Sequence, residues 1–232
     1  MTIPVRHLDD DLVVVSKPGA LLTHRTALAR DRDVLLTRVR DQIEQHLYPV
    51  HRLDRATSGL VCFGLRSEVA RDLQAVWGTE QVEKHYRCLV RGNPPDRFES
   101  DRPLTNRDNG IVQEARTEFR TIVRDREFAW VGAQLFTGRR HQIRRHLAHL
   151  GHQLAGDTSY GKGGINRWLR EEFGLPRLVL HAVELHLPHP PGTKSPMVFT
   201  EPPAPDLLEF LEKFSPTIAQ VARDEFAEEE PN

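Results

Sequence analysis

The sequence has no long apolar run and few cysteines. No apolar stretch approaches the ~20 residues that a helix needs to span a bilayer. The N-terminal stretch MTIPVRHLDDDLVVV carries an acidic cluster where a secretory signal peptide has a basic region and a long apolar one. Cys62 and Cys88 lie in apolar strand-like runs, where buried reduced thiols are more common than a disulfide framework. We therefore expect a soluble protein of the cytoplasm.

Several familiar catalytic patterns are also missing. The sequence has no glycine-rich phosphate loop, no G-x-S-x-G elbow and no cysteine–histidine pair at a recognisable spacing. Ser58 follows a threonine in a turn and has no evident base. His146, His149 and His152 are three residues apart, but arginines interleave with them and no cysteine or acid completes a ligand set. We therefore expect no metal.

Acids are absent from one strongly basic segment. Residues 137–152 contain four arginines and four histidines, whereas the chain from Asp206 onward has eight acids and two bases. A local basic surface suits a polyanion such as RNA. A solvated helix face is the alternative, and the lack of interspersed acids counts against it.

The succession of helix-like and strand-like segments indicates an α+β fold. The segments with helical spacing are 33–47, 67–77, 139–150 and 165–174. The strand-like runs are 11–17, 85–92, 115–123, 128–136 and 178–187. The runs 115–123 and 128–136 could form an antiparallel pair, and the turn-rich residues 93–110 are expected to form a surface loop. Without βα regularity, these elements favour a largely antiparallel sheet.

The segment VHRLDRATSGL, residues 50–60, contains a single acid, Asp54, between two arginines. If the chain is extended here, Tyr48, Val50, Arg52 and Asp54 share one face. A nucleophilic carboxylate must stay ionised, and an arginine partner favours the charged form. A structural aspartate–arginine pair is the commoner alternative, so the residues alone leave the role of Asp54 open.

The helix predicted over 139–150 offers possible partners for this acid. Its apolar residues define a buried stripe, with Arg140 and Arg144 at one edge and Arg145 pointing toward solvent. An arginine at the edge can reach into a cleft, or it can extend over the core with its charge in water. The periodicity does not choose between these two positions.

The stretch HRLDRATSGL resembles the signature H-R-L-D-x-x-T-S-G of the RluA family of pseudouridine synthases. Other matches follow in the family's order: VVVSKPGALLTH upstream, then KHYRCLVRG, TGRRHQIRRHLAHLGHQLAGDTSYG and LVLHAVEL. Together they cover most of residues 8–190. Within the family, DRDVLLTRVRDQIEQH and FGLPRLVLHA are most similar to the TruC branch, the tRNA pseudouridine-65 synthases.

The resemblance implies a bent, mostly antiparallel mixed sheet flanked by helices, with the active cleft in its middle. Residues 1–205 would form one catalytic domain without an S4-like RNA-binding domain, and 206–232 a C-terminal helix and a mobile acidic tail. The implied activity is isomerisation of a uridine in tRNA, at position 65, by a monomer. The same chemistry on ribosomal RNA, or a non-catalytic RNA-binding module, is the alternative.

The resemblance also implies roles for individual residues. Asp54 would be the catalytic aspartate, either attacking C1′ of the ribose or promoting a glycal route, and Arg144 its basic partner. Tyr86 would stack on the flipped base and could assist the deprotonation of C5. Arg52 would fill the gap that the extruded base leaves. No cofactor or metal is needed, because the leaving uracil is also the next nucleophile. The residues expected to contact RNA are Arg52, Arg55, Lys84, Arg139, Arg140, His141 and Arg145.

Overall fold

A mixed sheet of ten strands organises the part of the chain that the computed structural model describes, residues 2–24, 33–188 and 196–227. Its strands are β1 Val5–Leu8, β2 Leu12–Lys17, β3 Tyr48–Pro49, β4 Ser58–Gly64, β5 Glu83–Arg91, β6 Arg97–Ser100, β9 Thr117–Asp125, β10 Phe128–Leu135, β11 Leu180–Leu187 and β12 Met197–Thr200. A separate two-stranded ribbon pairs β7 Leu104–Thr105 with β8 Val112–Gln113. The helices are α1 Leu35–Ile43, α2 Ser67–Val76, α3 Gln142–His149, α4 Gly163–Phe173, α5 Pro205–Phe214 and α6 Pro216–Asp224.

The sheet is antiparallel at every pairing except one. The strand order is β1-β2-β4-β11-β5-β10-β9-β6, with β12 paired to β11 and β3 to β4. The short contact between β4 and β11 is parallel. The predicted fold class is therefore confirmed, and the expected pair formed by 115–123 and 128–136 is the antiparallel pair of β9 and β10.

Two predictions about local structure were wrong. Residues 93–110 are not a plain surface loop, because they contain β6 and β7, the first strand of the β7–β8 ribbon. The turn residues between these strands dominate the composition of the segment and conceal two- to four-residue strands. The C-terminal segment forms two helices, not one, because Pro216 opens α6 behind Ser215, whose Oγ accepts a hydrogen bond from Ile218 N at 3.1 Å.

The two faces of the sheet bury different cores. One face packs against α1 and α3 and includes Tyr86 and Leu147. The opposite face packs against α4, α5 and α6, around Trp130 and the aromatic residues of α5. Residues of β5 alternate between these faces, which places Tyr86 on the α3 side. The expected mobile tail falls partly on residues 228–232, outside the described residues.

The two cysteines are free and fully buried, as the sequence predicts. Burial raises the pKa of both thiols, so they stay protonated and unreactive. No helix within the described ranges has the length and apolar composition needed to cross a membrane.

Gly59 permits the parallel contact that joins β4 to β11. Its φ is +110°, and a Cβ built on it would lie 2.1 Å from the carbonyl oxygen of Ala182 on β11. Any side chain at this position would push the two strands apart. The glycine that ends the T-S-G signature is therefore required by the close approach of two backbones.

Substitution of Gly59 should destabilise the fold. We expect Gly59→Ala to lower the free energy of unfolding by about 2–4 kcal/mol, because it adds both a steric clash and an unfavourable φ. Urea denaturation would measure this, with Gly78→Ala as control, since no atom lies within 4 Å of a Cβ at Gly78. Equal stability of the two variants would contradict this explanation of the glycine.

Candidate active site

Asp54 lies in the loop between β3 and β4, at the mouth of a cavity. The expectation of an extended strand through residues 50–54 is wrong, because β3 ends at Pro49. The loop is held by side chains from elsewhere in the chain: Thr23 Oγ1 accepts from Leu53 N at 3.1 Å and donates to Leu53 O at 3.2 Å. Within the loop, Thr57 N donates to Asp54 O at 3.0 Å. These bonds give the carboxylate a defined position without a strand.

Arg144 of α3 contacts two carboxylates at once. Its Nη1 donates to Asp54 Oδ2 at 3.2 Å, while Nε and Nη2 donate to the two oxygens of Asp157 at 2.8 and 2.9 Å. The side chains of Arg144 and Asp157 are 9% and 1% exposed, and that of Asp54 is 19% exposed. Asp157 therefore orients the guanidinium, and Asp54 receives one bond from it while keeping access to the cavity.

The side chains of Arg144 and Asp157 both stay charged. Burial opposes the charged form of Arg144, but the hydrogen bonds to Asp157 prevail and the pKa of Arg144 is raised. Burial likewise opposes the ionised form of Asp157, but the bonds from Arg144 and from the backbone of Tyr160 and Ser159 lower its pKa. A charged guanidinium therefore lies 3.2 Å from Asp54 Oδ2.

His141 and Tyr160 complete the surroundings of the aspartate. His141 Nε2 lies 3.7 Å from Asp54 Oδ2, and a hydrogen bond of 3.2 Å joins His141 Nδ1 to the hydroxyl of Tyr160. The ring of Tyr160 lies 5.3 Å from the Cζ atom of Arg144. Burial lowers the pKa of His141, although Asp54 opposes this. His141 has φ +56°, an uncommon backbone conformation immediately before α3 that turns its ring toward Asp54.

Tyr86 lines the same cavity from β5. It is 8% exposed, and burial, followed by the negative charge of Asp54, raises the pKa of its phenol. The phenol is therefore protonated at neutral pH. Ile143 and Leu180 contribute apolar side chains to the same lining.

Two adjoining cavities meet at Asp54. The inner cavity, about 290 Å³, includes Tyr86, Arg144 and Trp77 in its lining. The outer cavity, about 330 Å³, has an arginine-rich lining. Its arginines are Arg52, Arg107, Arg139, Arg140 and Arg145. A larger cavity of about 660 Å³ lies on the opposite face of the sheet and contains none of the predicted catalytic residues. The two cavities thus share Asp54, and the outer one has a lining rich in positive charge.

The residues predicted to contact RNA divide between these cavities. Arg52, Arg139 and His141 line both, and Arg140 lines the outer one. Arg145 was expected to point into solvent, which is wrong: its Nη1 donates to the carbonyl oxygen of Thr105 at 3.1 Å. The β7–β8 ribbon folds over this side of α3, and the sequence did not predict that ribbon.

The other two residues predicted to contact RNA, Lys84 and Arg55, lie in different surroundings. Lys84 is buried in the inner cavity, where its Nζ donates to the carbonyl oxygen of Trp77 at 2.7 Å and burial lowers its pKa to about 8. Arg55 is exposed outside the lining of both cavities, and its Nε donates to Ala20 O at 3.0 Å. Lys84 thus lies in the inner cavity and Arg55 does not.

Comparisons with known proteins identify the family. Residues 11–149 match the family model described as RNA pseudouridylate synthase. The chain belongs to this family. It is a pseudouridine synthase, an enzyme that isomerises uridine in RNA, and the resemblance to the RluA family is confirmed.

The synthase has relatives of similar length. It is 36% identical to tRNA pseudouridine synthase C of Vibrio cholerae, over 84% of this chain and 89% of the relative. It is also 36% identical to the protein of that name from Haemophilus ducreyi, over 82% and 87%. The structure of human RNA pseudouridylate synthase domain containing 4 shares the fold, with a TM-score of 0.74 and 24% identity over 90% of this chain and 92% of that one.

Sequence reasoning missed three residues of the site. Asp157 lies in the matched stretch GDTSYG, but nothing in its spacing showed that it binds Arg144 thirteen positions earlier. Tyr160 follows in the same stretch. Lys17 is fully buried, and its Nζ donates to three carbonyl oxygens, including that of Arg55 at 3.3 Å. Burial lowers the pKa of Lys17 to about 7, and Asp54 opposes this effect.

Ser58 has a histidine neighbour, which the sequence did not reveal. A 2.7 Å hydrogen bond joins its Oγ to His181 Nδ1. Ser58 is only 1% exposed, so the pair is structural.

The histidines of α3 do not form a ligand cluster. Among the described residues, the one group of three potential ligands is Glu83, His85 and His186.

Removal of the charge of Asp157 should impair the synthase without unfolding it. We expect Asp157→Asn to lower kcat by about 10–100-fold, since an amide holds the guanidinium of Arg144 less firmly, with little change in KM for RNA. Single-turnover kinetics would measure the loss. The matched control is Asp96→Asn, which removes an exposed partner of Arg124 outside both cavities. A kcat within twofold of wild type would contradict the positioning of Arg144 by Asp157.

Proposed function

We propose that this synthase converts a uridine of tRNA to pseudouridine, at position 65, and that Asp54 carries the reaction. The observation behind the proposal is the position of Asp54, where the inner cavity meets the arginine-lined outer cavity and Arg144 contacts its carboxylate. The relatives named tRNA pseudouridine synthase C support tRNA as the substrate.

The reaction requires that the uridine leave the base stack. Inside a helix, C1′ and both faces of the base are inaccessible to a side chain. A flipped uridine would place its base in the inner cavity and its ribose at the junction, beside Asp54. Arg52, which lines both cavities, is suited to fill the gap in the RNA.

The chemistry is a change of one bond at C1′. The bond from C1′ to N1 breaks, uracil turns, a bond forms from C1′ to C5, and the proton lost from C5 is balanced by one gained at N1. Asp54 either adds to C1′ or promotes a glycal route, and both need an ionised carboxylate at the ribose. Arg144 places a positive charge beside that carboxylate.

Tyr86 is better suited to hold the base than to accept its proton. Its ring lines the inner cavity, where a planar base can stack on it. The raised pKa of its phenol makes phenolate scarce near neutral pH. A protonated phenol cannot accept a further proton, so we assign Tyr86 a stacking role. The proton leaving C5 then needs another acceptor, such as the Asp54 carboxylate once the bond from C1′ to C5 has formed.

The arginines of the outer cavity supply affinity. Their guanidinium groups can bind the phosphates that flank the flipped nucleotide, without reading sequence.

Removal of the Asp54 carboxylate should abolish the modification. We expect turnover by Asp54→Asn to fall by at least about 10³-fold with RNA binding retained, because the amide is not a nucleophile. In cells that lack the protein, mapping of pseudouridine should show one site lost from the T-arm or acceptor region of tRNA. Wild type and the exposed control Asp41→Asn should restore it. Restoration by Asp54→Asn would contradict the catalytic role, and loss from ribosomal RNA would contradict the substrate.

Binding of RNA should weaken steeply with salt. We expect Arg140→Ala to reduce the slope of log Kd against log salt concentration by about 1, because one phosphate contact is lost. Fluorescence anisotropy with a labelled T-arm hairpin would measure the slope. Arg223→Ala on α6, which removes a partner of Glu212, is the control. An unchanged slope for Arg140→Ala would show that the outer cavity does not bind the RNA backbone.

A further inference from the structure

Two adjacent strands present acids and histidines on the sheet face opposite the inner cavity. Glu83 and His85 alternate on β5 with Lys84, which lines that cavity, and so face the other side. On the antiparallel neighbour β11, Glu184 lies opposite His85, and His186 lies opposite Glu83. The four side chains form a square, with a histidine across from an acid in each pair.

Three of these side chains direct ligand atoms toward a common point. Glu83 Oε2 lies 3.1 Å from His85 Nε2 and 3.6 Å from His186 Nδ1. Ligand atoms of the three residues all lie within 4.8 Å of one another. Ligands around a tetrahedral Zn²⁺ are separated by about 3.3 Å, given bonds of about 2.0–2.1 Å. The three side chains thus need only small movements to bind one ion.

Glu184 supports the third ligand from behind. The Nε2 atom of His186 contacts the carboxylate of Glu184, which leaves Nδ1 directed toward Glu83. A histidine that binds a metal through one nitrogen commonly donates a hydrogen bond from the other to a carboxylate, which fixes its tautomer and orientation. The alternative is that each histidine only forms a hydrogen bond with one acid. Such pairs would account for individual contacts, but not for the convergence of ligand atoms from Glu83, His85 and His186.

The charge and access of the square suit a cation. Two carboxylates face two histidines, and the side chains of Glu83, His85 and His186 are 42%, 23% and 26% exposed, so an ion can enter from solvent. The nearest cation along this face of β5, Arg87, is paired with Glu225 through a 2.9 Å bond from its Nε. Its positive charge is therefore balanced.

We propose that Glu83, His85 and His186 form a binding site for a divalent transition metal of the zinc class, with Glu184 positioning His186. Three protein ligands leave one position for water. The ion would fasten β5 to β11, the strands that carry Tyr86 and Leu180 on the opposite face. It would contact no reacting atom, so its effect would be on the stability of the strand pair behind the cleft.

Titration of the chelator-treated, full-length synthase with Co²⁺ tests the site. We expect one equivalent to bind, with the visible absorption of a tetrahedral or five-coordinate ion, to be displaced by Zn²⁺, and to raise Tm. His85→Gln and His186→Gln should each lose the absorption band. His149→Gln is the matched control, because His149 is exposed on α3, away from the square.

The variant Glu184→Gln keeps all three ligands and distinguishes positioning from folding. We expect its affinity for Co²⁺ to fall by about 10–100-fold while its circular dichroism spectrum is unchanged. Absence of a saturable band in the wild type would overturn the proposal. Equal binding by wild type, His85→Gln and His186→Gln would overturn it as well, since the ion would then bind elsewhere.

Discussion

The guanidinium of Arg144 lies between two carboxylates, and the arrangement of the cleft depends on that contact. Asp157 takes two of its nitrogens in the buried interior, and Asp54 takes the third at the cavity. Asp157 holds the guanidinium with two hydrogen bonds from the buried side, so its position does not require a bound substrate. The proposed reacting carboxylate thus has a fixed cation beside it and an open side toward the ribose.

The fold brings these groups together from distant parts of the chain. Asp54 comes from a loop that side chains of other segments hold, Arg144 from α3, and Asp157 from the turn before α4. Tyr86 arrives on a central strand, whose alternation also places His85 on the reverse face. One strand therefore contributes both to the cleft and to the proposed metal site, so stiffening it from behind would steady the wall on which the base is proposed to stack.

The sequence predicts most of the architecture, because it depends on local patterns. The α+β class, the β9–β10 pair and the position of Arg144 at the edge of a buried helix stripe all follow from spacing. The course of residues 50–54 does not, because long-range bonds from Thr23 to Leu53 override the extended alternation. The contact of Asp157 with Arg144 is tertiary and leaves no periodic trace, and short strands within a turn-rich segment are hidden by its composition.

The most direct test of the account is the structure of Asp54→Asn bound to a tRNA T-arm hairpin that contains the target uridine. The account predicts that the uridine is flipped, with its ribose C1′ about 3–3.5 Å from the side chain of residue 54 and its base against the ring of Tyr86. A uridine that remains stacked in the helix, or a flipped base bound away from Tyr86 with C1′ out of reach of residue 54, would contradict it.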